Sequence, residues 1–489
     1  MARVRSTVRS AIFLIFFIGC AFSLLAHPAP GEYDEETARA ELSAAKASLR
    51  ALLNTEARGA TATYAALGLR NGTAVQAFYA RHEYAAHWIQ EAGWNEPAQR
   101  ALAVLGRAAE MGLNRNHYAW GSLRALPDSL QLTRARSRSQ LLALAELRLT
   151  DALLQYLQHV QLGRLTPHTT ALSPPPDSAR STRLAEQLDA VLQAPSLPAA
   201  VQQLQPATRG YQLLQAAWAR ALQTSAADSV RLMQDTVAGF GRVAVNLERL
   251  RWEAPVDSEY AVVNIPAYRL QLVRNGQVVR THRVVVGKPE WPTPVLSGRI
   301  VVFVTAPEWR VPYSIAVQEF LPELQQDPGF LYDHHYRLYD WRGRLQNPWR
   351  VNWQKVTPGK FPYTIRQRAG AFNALGNVVF YFPNQQTVFL HDTPARSAFT
   401  RPDRALSHGC VRVEKPLELA EYLLRREGRA KELTALYQSV RSHDKQRFDL
   451  QRSLPIYLRY YTCETDKGKL VFLPDIYHQD AAIQLALQK

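Results

Sequence analysis

The rhythm of hydrophobic and polar positions changes once along this chain, near residue 254. From about Glu35 to Leu250, apolar residues recur at three- and four-residue spacings. "ETARAELSAAKASLRALLNTEA", "PAQRALAVLGRAAEMGL" and "SQLLALAELRLTDALLQYLQHVQ" show it best. That spacing lays one apolar stripe along each segment and predicts amphipathic helices packed on one another. "TPHTTALSPPPDSARS" (166–181) interrupts the run. Consecutive prolines cannot continue a helix, so this stretch predicts a loop or hinge. The aromatics of "AFYARHEYAAHWIQEAGW" are expected to serve as helix-packing core.

After "APVDSEY" (254–260) the runs become rich in Val and partly alternate. "AVVNIPAYRLQLVRNGQVVRTHRVVVG" holds two strand-like runs joined at Asn275-Gly276, a pair suited to the positive φ angles of a tight hairpin. "GRIVVFVTAPEW" and "NVVFYFPNQQTVFLHDTP" predict further strands, and "PIYLRYYTCETDKGKLVFLPDIY" (455–477) two more around Lys467-Gly468. Between them lies a third texture, aromatic and turn-rich, over 320–353. The expected fold class is α+β multidomain: a helical scaffold over 31–250, then a mainly β domain over 257–438. Segment 320–353 is read as an insertion capping the site, and 439–489 as a C-terminal return segment.

Composition narrows this picture. At 489 residues the chain exceeds one ordinary core, and 47% hydrophobic against 20% charged residues excludes a disordered or fibrous protein. A formal charge of +16 favours anionic partners. The Arg and Lys residues are scattered, however, and no zinc-finger, RNA-recognition or basic-zipper pattern accompanies them, so nucleic acid is not an expected partner. Arg3, Arg5 and Arg9 precede the apolar stretch 11–26, the layout of a secretory signal, and residues 1–26 are therefore excluded from the fold. An uncleaved anchor, or lipidation at Cys20 in its weak lipobox-like context, stays open. The expected location is the periplasm or cell envelope, with membrane contact only through that segment. Beyond Cys20 only Cys410 and Cys463 remain, which is no disulfide scaffold. Cys463, in the strand-like "YLRYYTCE", is expected to be unpaired and structural.

"FLHDTPARSAFTRPDRALSHGCVRV" places His391 and Cys410 on either side of a loop. A thiol is mostly protonated at neutral pH, so a nucleophilic Cys needs a nearby base or cation. The loop is long enough to return Cys410 to His391; Gly409 would admit a substrate carbonyl, and the neighbouring amides would hold its oxyanion. Spacing alone leaves three readings open. They are nucleophilic catalysis, a small buried Cys beside a satisfied His, and a metal site of His391, His408 and Cys410. The last lacks any Cys-x-x-Cys or His-x-x-x-His pair to complete it.

"SHGCVRV" with upstream "HDTP" resembles the signature of the L,D-transpeptidases, the cysteine enzymes of bacterial peptidoglycan cross-linking. The similarity continues through "VVNIPAYRLQLVRNGQVVRTHRVVVGKPEWPTPVLSG", "EWRVPYSIA", "IRQRAGAFNALGNVVFYFPN", "VNLERLRW" and "LPDIY". In the helical half "AFYARHEYAAHW" and "LNRNHYAWGSL" resemble the large periplasmic members. The resemblance implies Cys410 as nucleophile and His391 as the base that later acts as acid, oriented by the main-chain carbonyl that follows it. It implies oxyanion amides from His408, Gly409 and Cys410, and loop or substrate support from Ser407 and Arg412; for Arg412 a salt bridge inside the loop stays an equal alternative. Asp392, where smaller members carry Gly, reads as a mark of the large subgroup. A small helical wall-binding module usual before "NLERLRW" is expected to be missing here. The implied reaction attacks the third-residue carbonyl of a donor tetrapeptide stem, releases D-alanine and transfers the acyl group to a side-chain amine of an acceptor stem. No cofactor or metal is implied. The alternatives are a carboxypeptidase or D-amino-acid exchange enzyme using the same acyl-enzyme, and a non-catalytic wall-binding scaffold. Other cell-wall proteins are further candidate partners.

Overall fold

The structure, a computed structural model, describes residues 35–489 except 54–59, 92, 134, 175–176, 236–237 and 254–256. The secretory-signal segment and Cys20 thus lie outside the described residues.

The helical half forms around one long helix, Ala135–Leu162. Every residue from Asp151 to Val160 is buried, because the helices Glu35–Leu53, Gly72–Arg81 and Ser178–Gln193 pack around it. Gly163 ends it at φ +86°, and a Cβ there would lie 2.5 Å from a Glu248 carboxylate oxygen. The following loop is pinned by a bridge between Leu165 and Leu172. The next helix starts at Ser178, inside the segment read as loop, because the Asp177 side chain accepts from the Arg180 amide and caps it.

The β half is built on one nine-stranded sheet that closes on itself. Its order is Ala405–Ser407, Gln277–Gly287, Val411–Val413, Leu390–His391, Val378–Tyr381, Leu296–Thr305, Gln446–Arg459, Glu259–Asn264 and Arg269–Arg274, the last pairing back onto Gln277–Gly287. The Asn275-Gly276 hairpin takes φ +49° and +74°, as a two-residue turn of this hand requires. One face of the sheet is core: Phe303, Val378, Phe380, Leu390 and Val411 pack against Leu419, Leu423, Leu424 and Leu436 from the helices Pro416–Arg426 and Leu433–Ser442. The opposite face around His391 is left for chemistry.

The aromatic insertion is part of a larger unit. A separate four-stranded sheet joins Trp309–Arg310, Tyr363–Gln367, Tyr336–Asp340 and Leu345–Gln346. Its own core includes Val311, Phe320, Leu324, Leu338, Trp353, Phe361 and Ile365. The unit reaches beyond 320–353 at both ends because the flanking segments supply its outer strands and part of that core.

The C-terminal segment ties the halves together. Strand Gln446–Arg459 lies inside the main sheet, while the hairpin Cys463–Asp466/Lys469–Phe472 packs on helices Arg209–Gln223 and Phe240–Arg251. In the last helix, Asp480–Gln488, the Asp480 carboxylate accepts from Arg249 at 2.5 Å and pairs with Arg242 at 3.1 Å. Cys463 is a free thiol in that apolar junction with Leu214, Trp218 and Leu247.

Candidate active site

Two short parallel strands place the candidate residues. Leu390 pairs with Val411 and His391 with Arg412, and the Val411 amide donates to the Phe389 carbonyl at 3.1 Å. Side chains alternate along a strand. Leu390 and Val411 enter the core, so His391 and Arg412 face the other way. Cys410, two residues before Arg412, opens on the same side, and its electrostatic influence on Tyr381 and Arg412 marks that position. His391 and Cys410 are therefore diagonal neighbours on one face.

His391 is buried, and its Nδ1–H donates to the Asp392 main-chain carbonyl at 2.5 Å. That bond puts the proton on Nδ1 and leaves Nε2 to act as base. Burial, seconded by the Arg412 charge, pushes the imidazole down to about 3, so it is neutral at any ordinary pH. Burial also pushes the half-buried Cys410 thiol up, against smaller opposing effects of the Phe389 backbone and Arg412. The resting pair is thiol and neutral imidazole. The cation next to the thiol does not suffice to make thiolate the resting form, because desolvation outweighs it.

The motif loop is held from within and without. Ser407 Oγ donates to the Cys410 carbonyl at 2.5 Å and accepts from the Gly409 amide at 3.2 Å. The Gly409 N–H is thus engaged inside the loop, and the His408 and Cys410 amides are the remaining donors for an oxyanion. Gly409 takes φ +106°, which explains glycine there better than crowding does, since a Cβ would meet nothing closer than 3.7 Å. His408 points outward: its Nε2 lies 2.5 Å from Glu319 of the unit built on the four-stranded sheet, and its ring 5.9 Å from Trp291. Asp392 is fully buried and turned from the imidazole. Its carboxylate accepts from the Asn377 amide at 2.8 Å and the Thr393 amide at 2.7 Å, and pairs with Arg396 at 2.6 Å. Its side chain braces the base from behind while its carbonyl orients it. Arg412 forms no ion pair among the described residues, and its Nε is buried without a partner. The loop salt bridge considered for it is absent there, and the guanidinium is available beside the thiol.

Several residues at the site have no signal in local spacing. Thr293 Oγ1 donates to the Gly409 carbonyl at 2.8 Å and accepts from the Gly287 amide at 2.8 Å. The Tyr477 hydroxyl donates to the Gly287 carbonyl at 2.6 Å. Thr293 clamps the loop from a remote segment, Tyr477 in turn fixes Thr293 and Gly287, and Glu319 reaches the loop through His408. Thr293 and Tyr477 do fall in "GKPEWPTPVLSG" and "LPDIY", so the wider resemblance contained them without assigning them a role. No group of three His, Cys, Asp or Glu side chains among the described residues is placed to hold a metal.

Comparison with known proteins gives this geometry a context. Residues 258–434 match the family described as L,D-transpeptidase catalytic domain, and residues 73–217 the family described as Scaffold domain. A Haemophilus influenzae protein named "Putative L,D-transpeptidase" is 37% identical over 245 residues, 50% of this chain and 49% of that protein. The chain thus spans about half the length of the curated relative it matches. Among solved structures, Mycobacterium tuberculosis L,D-transpeptidase 1 is 14% identical, covering 42% of this chain and 62% of its own, with a TM-score of 0.16. An L,D-transpeptidase from Mycobacterium smegmatis is 13% identical, covering 41% and 58%, with a TM-score of 0.18. Superpositions that poor carry no argument about detail. The family matches give a helical region with a Scaffold domain at residues 73–217, followed by an L,D-transpeptidase catalytic domain at residues 258–434.

Proposed function

We propose that this protein is a peptidoglycan L,D-transpeptidase with Cys410 as nucleophile and His391 as general base. The observation that supports it most is the strand register that sets both on one face, with the imidazole locked through Nδ1, inside the segment matching the catalytic-domain family. The chemistry follows from two neutral partners. As the Cys410 sulfur attacks the third-residue carbonyl of a donor stem, its proton passes to His391 Nε2. The carbonyl oxygen becomes an oxyanion, held by the His408 and Cys410 amides. The intermediate collapses, the bond to the terminal D-alanine breaks, and His391 returns the proton to the leaving amine. A side-chain amine of a second stem then attacks the thioester, gives its proton to His391, and the thiol is regenerated as the new amide forms. Arg412, unpaired beside the sulfur, would hold a carboxylate of the donor. Thiol, imidazole and amides supply every group these steps need.

The same reading places the protein outside the cytoplasm, where such stems are, and assigns residues 1–26 to export; sequencing the N-terminus of mature protein tests that part. Incubation with a defined disaccharide-tetrapeptide, followed by mass analysis, tests the chemistry. A thioester adduct on Cys410 and a cross-linked dimer are expected. Tripeptide alone would replace the transpeptidase with a carboxypeptidase, and no adduct would remove catalysis by Cys410.

A further inference from the structure

A groove of about 690 Å³ lies on the reactive face of the sheet and approaches the site through Phe389, whose ring is 5.6 Å from that of His391. Its floor is apolar, with Val302, Val304, Tyr381 and Phe389, and Lys445 and Arg447 stand at its far end. The pairing register makes it continuous with the site. Arg447 lies opposite Val304, Val304 opposite Val379, Val379 opposite His391, and His391 opposite Arg412. One cross-strand row on one face therefore carries the two cations at its ends and the base between them. The adjacent row holds Val302 and Tyr381, and Tyr381 lies within electrostatic reach of Cys410.

The charges at the far end favour an anion. Arg447 donates through Nε and Nη2 to Asp449, at 2.5 to 3.0 Å, while no partner engages its Nη1 among the described residues. Lys445, just before that strand and lining the same groove, is exposed and has no ion pair among the described residues. Glu308, the acid on the rim, is paired with Arg366 at 3.7 Å. Net positive charge therefore remains at this end.

The span selects the ligand. Strand Gln446–Arg459 is four strands from Cys410, about 19 Å at roughly 4.8 Å per strand. A lysine or arginine side chain extends about 6 Å, so a cation turned toward the site would stand on the order of 13 Å from the sulfur. A donor stem, covalently held at its third residue, has Arg412 beside the sulfur for its nearest carboxylate. An acceptor attacks with a side-chain amine, and its terminal carboxylate follows after a diamino side chain and one more residue. That is roughly three extended residue lengths, about 10 Å, and a hydrogen bond of about 3 Å to the cation completes the gap of about 13 Å. On the transpeptidase reading just given, we infer that this groove is the acceptor site, with Lys445 and Arg447 binding the terminal carboxylate of the acceptor stem. These residues lie beyond the segment that matches the catalytic family, Arg447 in the strand that the C-terminal segment contributes and Lys445 one residue before it.

A chase experiment on the full chain tests this. Wild-type protein and Lys445→Glu/Arg447→Glu are acylated with isotope-labelled tetrapeptide, freed of excess, and challenged with unlabelled tetrapeptide or its C-terminal amide. The expected result is acylation within twofold of wild type, which also reports an intact fold, and at least a tenfold slower conversion to dimer with more hydrolysis. Amidating the acceptor should slow wild type similarly and the variant no further. Lys445→Gln/Arg447→Gln should fall between. An unchanged chase in the variants overturns the inference, as does equal slowing of acylation and chase, which would make the groove a donor site. If wild type forms no thioester, the catalytic reading has failed and this inference falls with it, a result distinguishable from either.

Discussion

Glu146 in the helical half and Asp392 in the catalytic domain are built alike. Glu146 is buried, accepting from the His87, Trp88 and Ile89 amides at 2.5, 2.9 and 3.1 Å and from the Tyr79 hydroxyl at 2.8 Å. Asp392 accepts from two amides and Arg396. Each acid pins a loop, and each loop carries a histidine that burial drives down, His87 to about 4 and His391 to about 3. The surroundings differ. The cavity beside His87 is walled by Trp88, Pro97, Leu192 and Leu197, and its one hydroxyl, Ser196, caps a helix. His391 shares its sheet face with a half-buried thiol and an unpaired guanidinium. A strongly shifted histidine thus does not by itself mark catalysis; what sets His391 apart is the proposed nucleophile on the same face.

The sharpest way to break this comparison is to remove the nucleophile. Cys410→Ala should abolish the acyl-enzyme completely with an unchanged melting temperature, since no other group on that face can form the intermediate. His391→Ala should slow acylation by about a hundredfold to ten-thousandfold, the usual contribution of a positioned acid or base. Stopped-flow or intact-mass acylation rates decide both, and an adduct on Cys410→Ala protein would end the mechanism.

Glu146→Ala should show the opposite signature. It strands three amides in a dry core, at about 1–3 kcal/mol for each buried group left unpaired, while the Tyr79 hydroxyl keeps the Thr150 hydroxyl as partner. Allowing for relaxation, a loss of roughly 3–5 kcal/mol is expected, read by denaturant titration, while the folded fraction acylates at the normal rate. A loss below about 1 kcal/mol would mean that water or rearrangement replaces the carboxylate.

How far such contrasts can be read without coordinates depends on the range of the interaction. The Asn275-Gly276 and Lys467-Gly468 hairpins are legible because their positive φ angles suit those residue pairs. The strand from Gln446 is legible only from about Pro455. Its first half, "QRFDLQRS", turns Arg447 and Asp449 to solvent and buries Phe448, so it lacks the apolar run of its second half. Pro455 itself stands within the strand, just past the irregularity between Asp449 and Leu454. The Cys410–His391 partnership is legible because one loop joins them. The supports at Thr293, Glu319 and Tyr477 are not, because only the closed sheet and the capping unit bring them to the motif. The neutral resting pair is invisible as well, since it follows from burial rather than residue type.

Acid should separate the two halves more gently. His87 and His117, both driven to about 4 by burial, stay neutral when folded but take up protons near 6.5 when unfolded. The unfolded state then binds more protons between those values, so stability falls as pH drops from about 6.5 to about 4. His391 adds to the loss but remains neutral down to about 3. Melting temperature should therefore decline across that window while the acylation rate of folded protein shows no step near 6.5. A catalytic limb there would mean that His391 is far more solvated than its burial implies.

The smallest effect should come from Glu319, a third acid that shares features of the other two. It is exposed and lies in the π-helical turn Ala316–Phe320 of the capping unit, yet it touches a motif residue, His408. A partly exposed pair contributes at most about 1 kcal/mol, which corresponds to roughly fivefold in rate. The contact matters less for its strength than for what it joins. It is a direct polar link between a unit with its own core and the loop that carries the nucleophile. Glu319→Ala should leave melting temperature unchanged, slow acylation about threefold to fivefold and raise the proportion of hydrolysed tripeptide, because a cap no longer held to the loop admits water to the thioester. Glu319→Gln keeps an oxygen that accepts from His408 and should restore most of the rate. Equal behaviour of the two variants would show that the charge and not the contact is what counts. An unchanged dimer-to-tripeptide ratio in Glu319→Ala would show that the capping unit, despite its position, is only a satellite core.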